Sequence, residues 1–517
     1  MPRKLSLRIL ENRVFWAILF AGMFAAYTIW CGRNRLAGDV AWYLYAIKRI
    51  QAGAVLYRDL HDMNPPIVYL MYMPLGWINS VTGWRIDWLL YGALAAGSAA
   101  AVAWIWQLPG MGFAVRGVIA LSVAFAGLTL NRFQFGQRDP ICAILFAGLA
   151  IAVYLQIEQI EVHWTSWAGV IMASLGMAMK PHFLAPWALV LGLLAVRRGV
   201  MPVLRMKEAW MPVIVSIIAW TVAVAGFPDF RAMVALAYRY YSNVNVSVYE
   251  FAPLIFPLAV AAYALFRKTD GPLRTLLQIS ALSTFGFAAA CMLQRKGFLY
   301  HMAPVMYWGT ITAGVILADM FHRSKSWRMP LVTASVMLAL PFYSLWTATL
   351  PPPAVFAPTD VEAFVTRYAA GKSVLALSTD LRTGFPLILE AGAINTRPDA
   401  QMWMLGEMYR DQVTQADESP TPVAARYHTR LEMDEEERHV FNEVVDIVVN
   451  RRAPIILVQT AKRKWGLNEL KFDFIEYFSQ DEGFRKALSR YKPGPVSDDR
   501  MVLFLNEPTL VSAGGIR

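Results

Sequence analysis

The chain has 517 residues, of which 57% are hydrophobic and only 16% are charged. In soluble domains about a quarter of all residues are charged. This composition therefore excludes a soluble protein and predicts a polytopic membrane protein. The net charge of +11 does not indicate nucleic-acid binding, because the lysines and arginines fall in short loops between apolar runs. The three cysteines lie in or beside those runs and suggest neither a metal site nor a disulfide framework.

Apolar runs are the main signal along the first two thirds of the chain. Runs long enough, or nearly so, to cross about 30 Å of hydrocarbon lie at 14–31, 86–106, 113–130, 140–156, 164–179, 182–197, 210–227, 251–266, 275–293, 303–320 and 329–349. The first follows a basic N-terminus and is interpreted as an uncleaved anchor with the N-terminus in the cytoplasm. A further run, 66–82, is short and contains Pro74.

The positive-inside rule decides how the run 66–82 is interpreted. If it lies along the membrane surface, the three most basic short loops, 197–207, 267–274 and 322–328, all fall in the cytoplasm. We therefore predict about eleven crossings, with 32–85 as one long external loop. The same orientation places further polar segments outside: 131–139, 228–250, 294–302 and the turn Lys180-Pro181-His182.

The first external loop is expected to contain two elements that lie along the membrane. Asp39 and Gly53 are placed to begin and end an amphipathic helix, since Asp favours a helix N-cap and Gly follows a helix C-terminus. The run 66–82 is expected to be the second such element.

The composition changes after Leu350, where three prolines mark a boundary. The domains predicted are a transmembrane domain, 1–350, and an external, periplasmic α/β domain, 351–517. In the latter, 373–378, 453–460 and 500–505 are predicted as strands, 359–370, 432–451 and 472–490 (in one or two pieces) as helices, and 393–430 as a long loop.

Several short motifs occur together on the predicted external side. An acidic residue after the first anchor, Asp39, precedes an aromatic helix, and a second acid, Asp139, lies in the next external loop. The other elements are Gly53, Tyr57, Asp59, Asn64-Pro65-Pro66 and a late loop with Gln294, Lys296, Gly297, Tyr300, His301 and Pro304. Together, over roughly residues 10–350, they resemble the GT-C superfamily of integral-membrane glycosyltransferases. That superfamily includes protein O-mannosyltransferases and the bacterial enzymes that move aminoarabinose, galacturonic acid or arabinofuranose from polyprenyl-phosphate carriers.

The resemblance implies a mostly α fold, a GT-C type transmembrane helix bundle followed by the small α/β domain. It also implies an inverting transfer of a sugar from a polyprenyl-phosphate donor to a cell-envelope glycan, lipid or protein, outside a bacterial inner membrane. Such chemistry needs a carboxylate that takes the acceptor's proton and cations that stabilise the leaving phosphate.

The resemblance assigns Asp39 as the catalytic base, although a plain helix cap is the structural alternative. Many members carry Asp-Glu at this point, whereas here Val40 follows. Asp139 is the second catalytic acid, in contact with the acceptor or a metal; alternatively it caps the helix that begins at Pro140. A divalent ion is possible, but without the Asp-Glu pair no metal site is assigned.

The remaining candidates are cations near the bilayer and polar groups of the external loops. Predicted to bind the donor phosphate are Lys180, Arg138, Lys296, His301, Arg295 and Arg239. Predicted to bind the acceptor are His61, Asp62 and Tyr300. Snorkelling of Lys180 to headgroups, a tyrosine belt around Arg239 and solvated loop residues at 61–62 are the structural alternatives. Asp59 and Tyr57 are expected to hold the loop together.

Two other function classes fit a chain of this composition. A transporter or flippase of a lipid-linked glycan would favour internal repeats and charges along a path, whereas no clear repeat is seen and the charges gather on one face. An oligosaccharide polymerase or ligase is a third hypothesis. The two predicted surface elements after Asp39 favour the glycosyltransferase.

The predicted topology can be tested with reporter fusions. Fusions at residues 200, 270 and 325 are expected to be cytoplasmic and one after residue 360 external, because positive loops are retained inside. The opposite pattern, measured with a paired cytoplasmic and periplasmic reporter, would mean that 66–82 crosses the membrane.

Overall fold

The computed structural model describes residues 12–31, 35–129, 136–162, 164–241, 247–323 and 359–505. The chain is mostly helical. Its helices up to residue 323 are α1 (Arg13–Cys31), α2 (Gly38–Gln51), α3 (Pro66–Thr82), α4 (Ile86–Gln107), α5 (Phe113–Thr129), α6 (Arg138–Ile157), α7 (Trp164–Ala178), α8 (Leu184–Arg198), α9 (Val200–Leu204), α10 (Lys207–Gly226), α11 (Pro228–Tyr241), α12 (Ile255–Phe266), α13 (Gly271–Gln294) and α14 (Leu299–Arg323). Short 3₁₀ turns, Pro181–Phe183 and Val248–Leu254, precede α8 and α12.

Wherever the chain is described, the apolar runs predicted between residues 14 and 320 coincide, to within one residue, with these helices and 3₁₀ turns, which confirms that part of the sequence analysis. Six segments of the described chain are long and apolar enough to span a membrane: α4, α6, α10, α13, α14 and the continuous stretch Val248–Phe266. The apolar stretches in α1 and α5 are shorter. The predicted run 329–349 lies outside the described residues, so the count of eleven crossings stays a prediction.

The run 66–82 forms α3, with Pro66 at the first helical position and Pro74 inside. Proline suits the first turn, where no intrahelical donor is needed. The helix stops at Gly83, whose φ of 71° is a left-handed conformation open to glycine. The position of α3 relative to the membrane stays a prediction.

The chain forms two compact units. The first holds Met1–Leu36, Asn64–Gly226 and Val244–Pro353, and the second holds Ala37–Met63, Phe227–Asn243 and Ala354–Arg517.

The first unit is a bundle centred on α6, α13 and α14. These three helices are largely buried, whereas α10 exposes Ile214, Ile217 and Ile218, as expected of a helix that faces lipid. Small residues allow the inner helices to approach closely: a Cβ added to Gly148 of α6 would lie 2.5 Å from the Cα of Gly169 in α7. Membrane helices pack through such contacts because lipid provides no hydrophobic drive between them.

The second unit brings α2 and α11 together with the C-terminal part of the chain. Its further elements are α15 (Asp360–Tyr368), β1 (Ser373–Leu377), α16 (Leu387–Glu390), β2 (Ile394–Asn395), α17 (Leu405–Met408), α18 (Arg410–Glu418), α19 (Glu435–Asp446), β3 (Ile455–Gln459), α20 (Phe474–Phe478), α21 (Glu482–Leu488), β4 (Tyr491–Val496) and β5 (Arg500–Leu505). A 3₁₀ turn, Leu381–Thr383, follows β1, and a π turn, Ile447–Arg451, continues α19.

The five strands form one mixed sheet in the order β2-β1-β3-β5-β4. β1 runs parallel to both β2 and β3, with Val374 opposite Asn395 and Ile455. β5 is antiparallel to β3 and β4. The strands β1 and β3 are almost continuously buried and apolar, as expected of central parallel strands.

The structure confirms the three predicted strands and the three helical regions of this unit, the last of them split into α20 and α21. It corrects two predicted loops. The stretch 393–430 contains β2, α17 and α18, and most of 228–250 is helix α11. The strand β4 was missed because its sequence, YKPGPV, contains two prolines and a glycine, which usually argue against a strand.

Helix α2 also differs from its prediction. It begins at Gly38 with Ala37 as N-cap, so Asp39 lies inside the first turn and does not cap the helix. Eight consecutive residues from Val40 to Ile47 are buried, so α2 is not an amphipathic helix with one apolar face. Gly53 follows its end with a φ of 99°, as predicted.

Candidate active site

Four polar residues of the first unit form a cluster, which we call the polar centre: Asp139, Lys180, Gln294 and His301. Each lies at or near a helix end. Asp139 is in the first turn of α6, Lys180 precedes the 3₁₀ turn before α8, Gln294 is the last residue of α13, and His301 is near the start of α14. Helix ends are where a membrane chain can place polar side chains next to its connecting segments.

The four side chains contact one another directly. The Nζ of Lys180 donates to Oδ2 of Asp139 and to Oε1 of Gln294, each at 2.8 Å. The Nε2 of Gln294 donates to Oδ1 of Asp139 at 3.3 Å, which closes a three-membered ring of hydrogen bonds. The Nε2 of His301 lies 3.4 Å from Nζ.

The polar centre is buried. Asp139 is 0% exposed, and the side chain of Lys180 is 11% exposed. An ion pair at such depth must be well hydrogen-bonded, because the loss of hydration costs several kcal/mol per ion. The ring with Gln294 meets that requirement. Asp139 therefore holds Lys180, and its carboxylate does not cap α6, whose N-cap is Gln137.

The contact with Lys180 sets the proton position on His301. An ammonium group offers only donors, so Nε2 of His301 must accept and Nδ1 carries the hydrogen. Within the described chain, this buried Nδ1 has no hydrogen-bond partner. It is thus a donor held beside a cation.

Further side chains lie beside the polar centre or next to its members along the chain. The rings of Tyr300 and Phe183 lie 5.6 and 5.5 Å from Nζ of Lys180. Arg138 is buried and, like Lys180, attracts the Asp139 carboxylate electrostatically. Lys296 is half-buried in the connection between α13 and α14, and burial lowers the pKa of its ammonium group. Arg295 is exposed.

The remaining predicted residues belong to the second unit. Asp39 is half-buried in the first turn of α2. Asp62 accepts a hydrogen bond from Nε1 of Trp42 at 2.8 Å.

Two further candidates pair with acids of the C-terminal part of the chain. Nδ1 of His61 lies 3.3 Å from Oδ2 of Asp399. Arg239 forms a 3.5 Å ion pair with Asp434.

Asp59 and Tyr57 hold the first loop together, as the sequence analysis expected. Oδ2 of Asp59 accepts from the backbone N–H of Val55 at 2.7 Å. Tyr57 is buried and packs on Phe230 of α11, with ring centroids 5.0 Å apart.

Two parts of these arrangements were not found from the sequence. Gln294 lies in the motif of the late loop, but a neutral amide at a helix end carries no distinct sequence signal for a role. The partner of His61, Asp399, lies more than 300 residues away along the chain, as does the buried Arg397 that pairs with Asp399, and only the fold brings them together. Among the described residues, no group of three or more His, Cys, Asp or Glu side chains could hold a metal ion.

Comparisons with known proteins identify the fold. No protein-family model matches the sequence, and no curated protein matches it. Solved structures do match, among them the crystal structure of ArnT from Cupriavidus metallidurans bound to undecaprenyl phosphate and that of the same protein in the apo state. The TM-scores are 0.54 and 0.56 and the identities 13% and 12%; each match covers 96% of this chain and 99% of the other.

These matches confirm, at the level of the fold, the resemblance inferred from the motifs. ArnT is a GT-C glycosyltransferase, an aminoarabinose transferase, and its fold extends over almost the whole chain. With its six apolar helices of spanning length, the chain is a multi-pass membrane protein.

The ion pair in the polar centre can be tested by a double-mutant cycle. Lys180→Met is expected to destabilise the protein by about 3–5 kcal/mol, because it leaves the Asp139 carboxylate buried without its closest cation. The double variant Lys180→Met/Asp139→Asn should recover much of that loss. Chemical denaturation in mixed micelles measures both effects.

The exposed pair between Arg58 and Asp59 provides the control. Arg58→Gln should change stability by about 0.5 kcal/mol or less, since exposed ion pairs contribute little. Equal or additive losses in the cycle would contradict a stabilising Asp139–Lys180 contact.

The contact between His61 and Asp399 predicts a pH dependence in the second unit. Burial disfavours the charged form of His61, but Asp399 and, more weakly, Glu443 outweigh burial and the opposing Arg397, so the pKa of His61 is raised. Burial likewise disfavours the charged form of Asp399, but His61, Arg397 and His439 outweigh it, so the pKa of that carboxyl is lowered.

Each shift stabilises the folded state over a definite range. A raised histidine pKa stabilises below about pH 6.5, and the effect is lost as the pH rises through the folded value. A lowered aspartate pKa stabilises above about pH 3.9 and is lost toward acid. The difference in melting temperature between the wild type and His61→Leu should therefore be larger at pH 5.5 than at pH 8.5. An equal difference at both pH values would contradict a charged pair.

Proposed function

We propose that this chain is a membrane glycosyltransferase that moves a sugar from a polyprenyl-phosphate donor to a cell-envelope acceptor. The observation that carries the proposal is the ArnT fold over 96% of the chain, because one of the matched ArnT structures holds undecaprenyl phosphate. The polar centre adds chemical support, since it places cations at the buried ends of helices in the same fold.

We assign the donor phosphate to the polar centre. Lys180 and Arg138 place two cations beside the carboxylate of Asp139. Cations attract an anion such as a phosphate, and a low-dielectric site strengthens that attraction. The Nδ1–H of His301 adds a neutral donor. In this role Asp139 and Gln294 orient the Lys180 ammonium group and do not touch the sugar.

Lys296 adds a cation that burial makes easier to deprotonate. Tyr300, whose ring lies beside Lys180, is proposed to contact the sugar or the acceptor. Arg295 and Arg239 remain candidates from the sequence. The exposure of Arg295 and the pairing of Arg239 with Asp434 favour weaker roles.

Asp39 is proposed as the base. Its carboxylate would take the proton of the acceptor hydroxyl while the hydroxyl oxygen bonds to the anomeric carbon. The bond from that carbon to the phosphate oxygen breaks, and polyprenyl phosphate leaves with the electron pair. Attack opposite to the leaving group inverts the anomeric configuration. His61 and Asp62 stay candidates for acceptor contact, although their bonds to Asp399 and Trp42 favour a supporting role.

The proposed location is a bacterial inner membrane, with a cytoplasmic N-terminus and the C-terminal domain in the periplasm. This orientation follows from the basic loops of the sequence. A lipid-linked donor and membrane lipids are then the partners, together with the acceptor. A divalent ion is not required by the proposal.

The base can be tested by Asp39→Asn. Membranes that contain the full chain are incubated with synthetic polyprenyl-phosphate sugars, and the release of polyprenyl phosphate is measured. Asp39→Asn should reduce the release by about 10²–10⁴-fold, the usual contribution of general acid–base catalysis, with unchanged insertion and melting temperature.

Asp59→Asn is the matched control, since Asp59 is exposed and bonds only within its own loop as far as the described contacts go. It should retain transfer. Full transfer by a well-folded Asp39→Asn protein would remove Asp39 as the base. No release from any donor by the wild type would overturn the proposed function itself.

A further inference from the structure

We propose that the turn at residues 395–399 of the second unit, which we call the edge turn, positions α2 and thereby the carboxylate of Asp39. The inference rests on the proposed function for the role of Asp39, and it gives the C-terminal domain a task in the reaction. All the contacts that carry it lie within the second unit.

The first contact joins α2 to the open edge of the sheet. β2 is an edge strand, and its residues use their backbone N–H groups alternately. Those of Ile394 and Thr396 donate to the carbonyls of Lys372, just before β1, and Val374 in β1, so that of Asn395 points away from the sheet. It donates instead to the Oη of Tyr45 in α2 at 2.9 Å. The tyrosine thus satisfies a buried donor that no strand pairs.

The second contact is apolar and lies on the same face of α2. Trp42 and Tyr45 pack edge-on against Phe385, with ring centroids 5.4 and 5.3 Å apart. The N-terminal end of the helix also approaches this region closely, because a Cβ added to Gly38 would lie 3.2 Å from Cγ of Leu381. Asp39 is the next residue, so these contacts fix the turn that carries it.

The third contact holds the end of the first loop. The backbone N–H of His61 donates to the carbonyl of Pro398 at 2.9 Å, and its ring faces Asp399. Asp62, the following residue, accepts from Trp42 and so returns the loop to α2. The loop is therefore attached to the edge turn both at α2 and at its far end.

The edge turn is itself rigidly held. The side-chain amide of Asn395 donates to the carbonyls of Arg397 and Asp399, each at 2.9 Å. Arg397 is 4% exposed and bridges Asp399 to Glu443 of α19 at 3.1 and 2.8 Å. Buried, charge-assisted bonds of this kind fix geometry strongly. The edge turn thus fixes the position of α2 relative to the core of the C-terminal domain.

Tyr45 and His61 are accordingly positioning residues. A base that is displaced by about 1 Å can lose on the order of 10²-fold in rate, while donor binding through other groups persists. The signature expected of these two residues is a lower kcat with an unchanged KM for the donor.

The experiment compares four variants of the full chain. Tyr45→Phe and His61→Leu remove the two polar contacts. His61→Asn keeps an amide donor near the position of Nδ1 and serves as the conservative rescue. Tyr491→Phe is the matched control, since it removes a buried tyrosine hydroxyl that donates to the carbonyl of Ala453, a contact that does not involve α2.

Two measurements are made on each variant. Hydrogen exchange of the amides in 38–51 should be about tenfold faster in Tyr45→Phe and His61→Leu, because loosened segments open more often. The kcat for polyprenyl phosphate release should fall about tenfold or more, with the donor KM within twofold. Tyr491→Phe should resemble the wild type in both measurements, and His61→Asn should restore the slow exchange of the wild type.

The outcomes separate the two proposals. Unchanged exchange in Tyr45→Phe and His61→Leu would overturn the anchoring by the edge turn. Faster exchange with an unchanged kcat would overturn the positioning of Asp39. If the wild type releases no polyprenyl phosphate, the proposed function and the role of Asp39 fall together, whereas exchange still decides whether the edge turn holds α2.

Discussion

The burial of the Lys180 ammonium group is the constraint on which the centre of the first unit depends. A cation at the end of an apolar helix loses most of its hydration, and its environment must replace that loss with acceptors. Asp139, Gln294 and His301 do so from three other helices. Because each bond needs a distance near 3 Å, the ends of α6, α13 and α14 must meet around one atom. A charge that would destabilise an isolated helix thereby specifies how several helices converge.

A different constraint organises the second unit. An edge strand leaves backbone donors unpaired, and proteins cover such edges to avoid unwanted pairing. Here the cover is a tyrosine from α2, which is separated from the strand by about 350 residues of sequence. The segment that carries Asp39 thus covers the open edge of the sheet, and the sheet in turn holds that segment in place. Helix α11 joins the same unit, with Tyr240 donating to Asp434 at 2.6 Å, so three distant segments form one folded body.

How much of the fold can be predicted from the sequence depends on how long and how uniform each local sequence pattern is. Apolar runs of about twenty residues predict membrane helices, and the described helices follow them. Buried strands such as β1 and β3 are visible as short apolar runs. By contrast, β2 has only two residues and α11 mixes polar and apolar residues over a segment rich in tyrosine, so neither gives a clear local pattern. The burial of α2 on all faces was missed, because its charges at Lys48 and Arg49 mimic an amphipathic helix.

For the candidate site, the sequence by itself determined which residues are chemically unusual: acids and cations at the ends of apolar runs, where charge is costly. Asp139, Lys180 and His301 stand out in this way, and their roles in the reaction stay a proposal. Only the tertiary structure decided their partners. Gln294 completes the ring of hydrogen bonds around Lys180, and Asp399 pairs with His61. Local sequence does not reveal such partners, because a hydrogen bond depends on a distance of about 3 Å in space and not on proximity along the chain. Desolvation is a property of one residue and its neighbours along the chain, whereas pairing is a property of the fold.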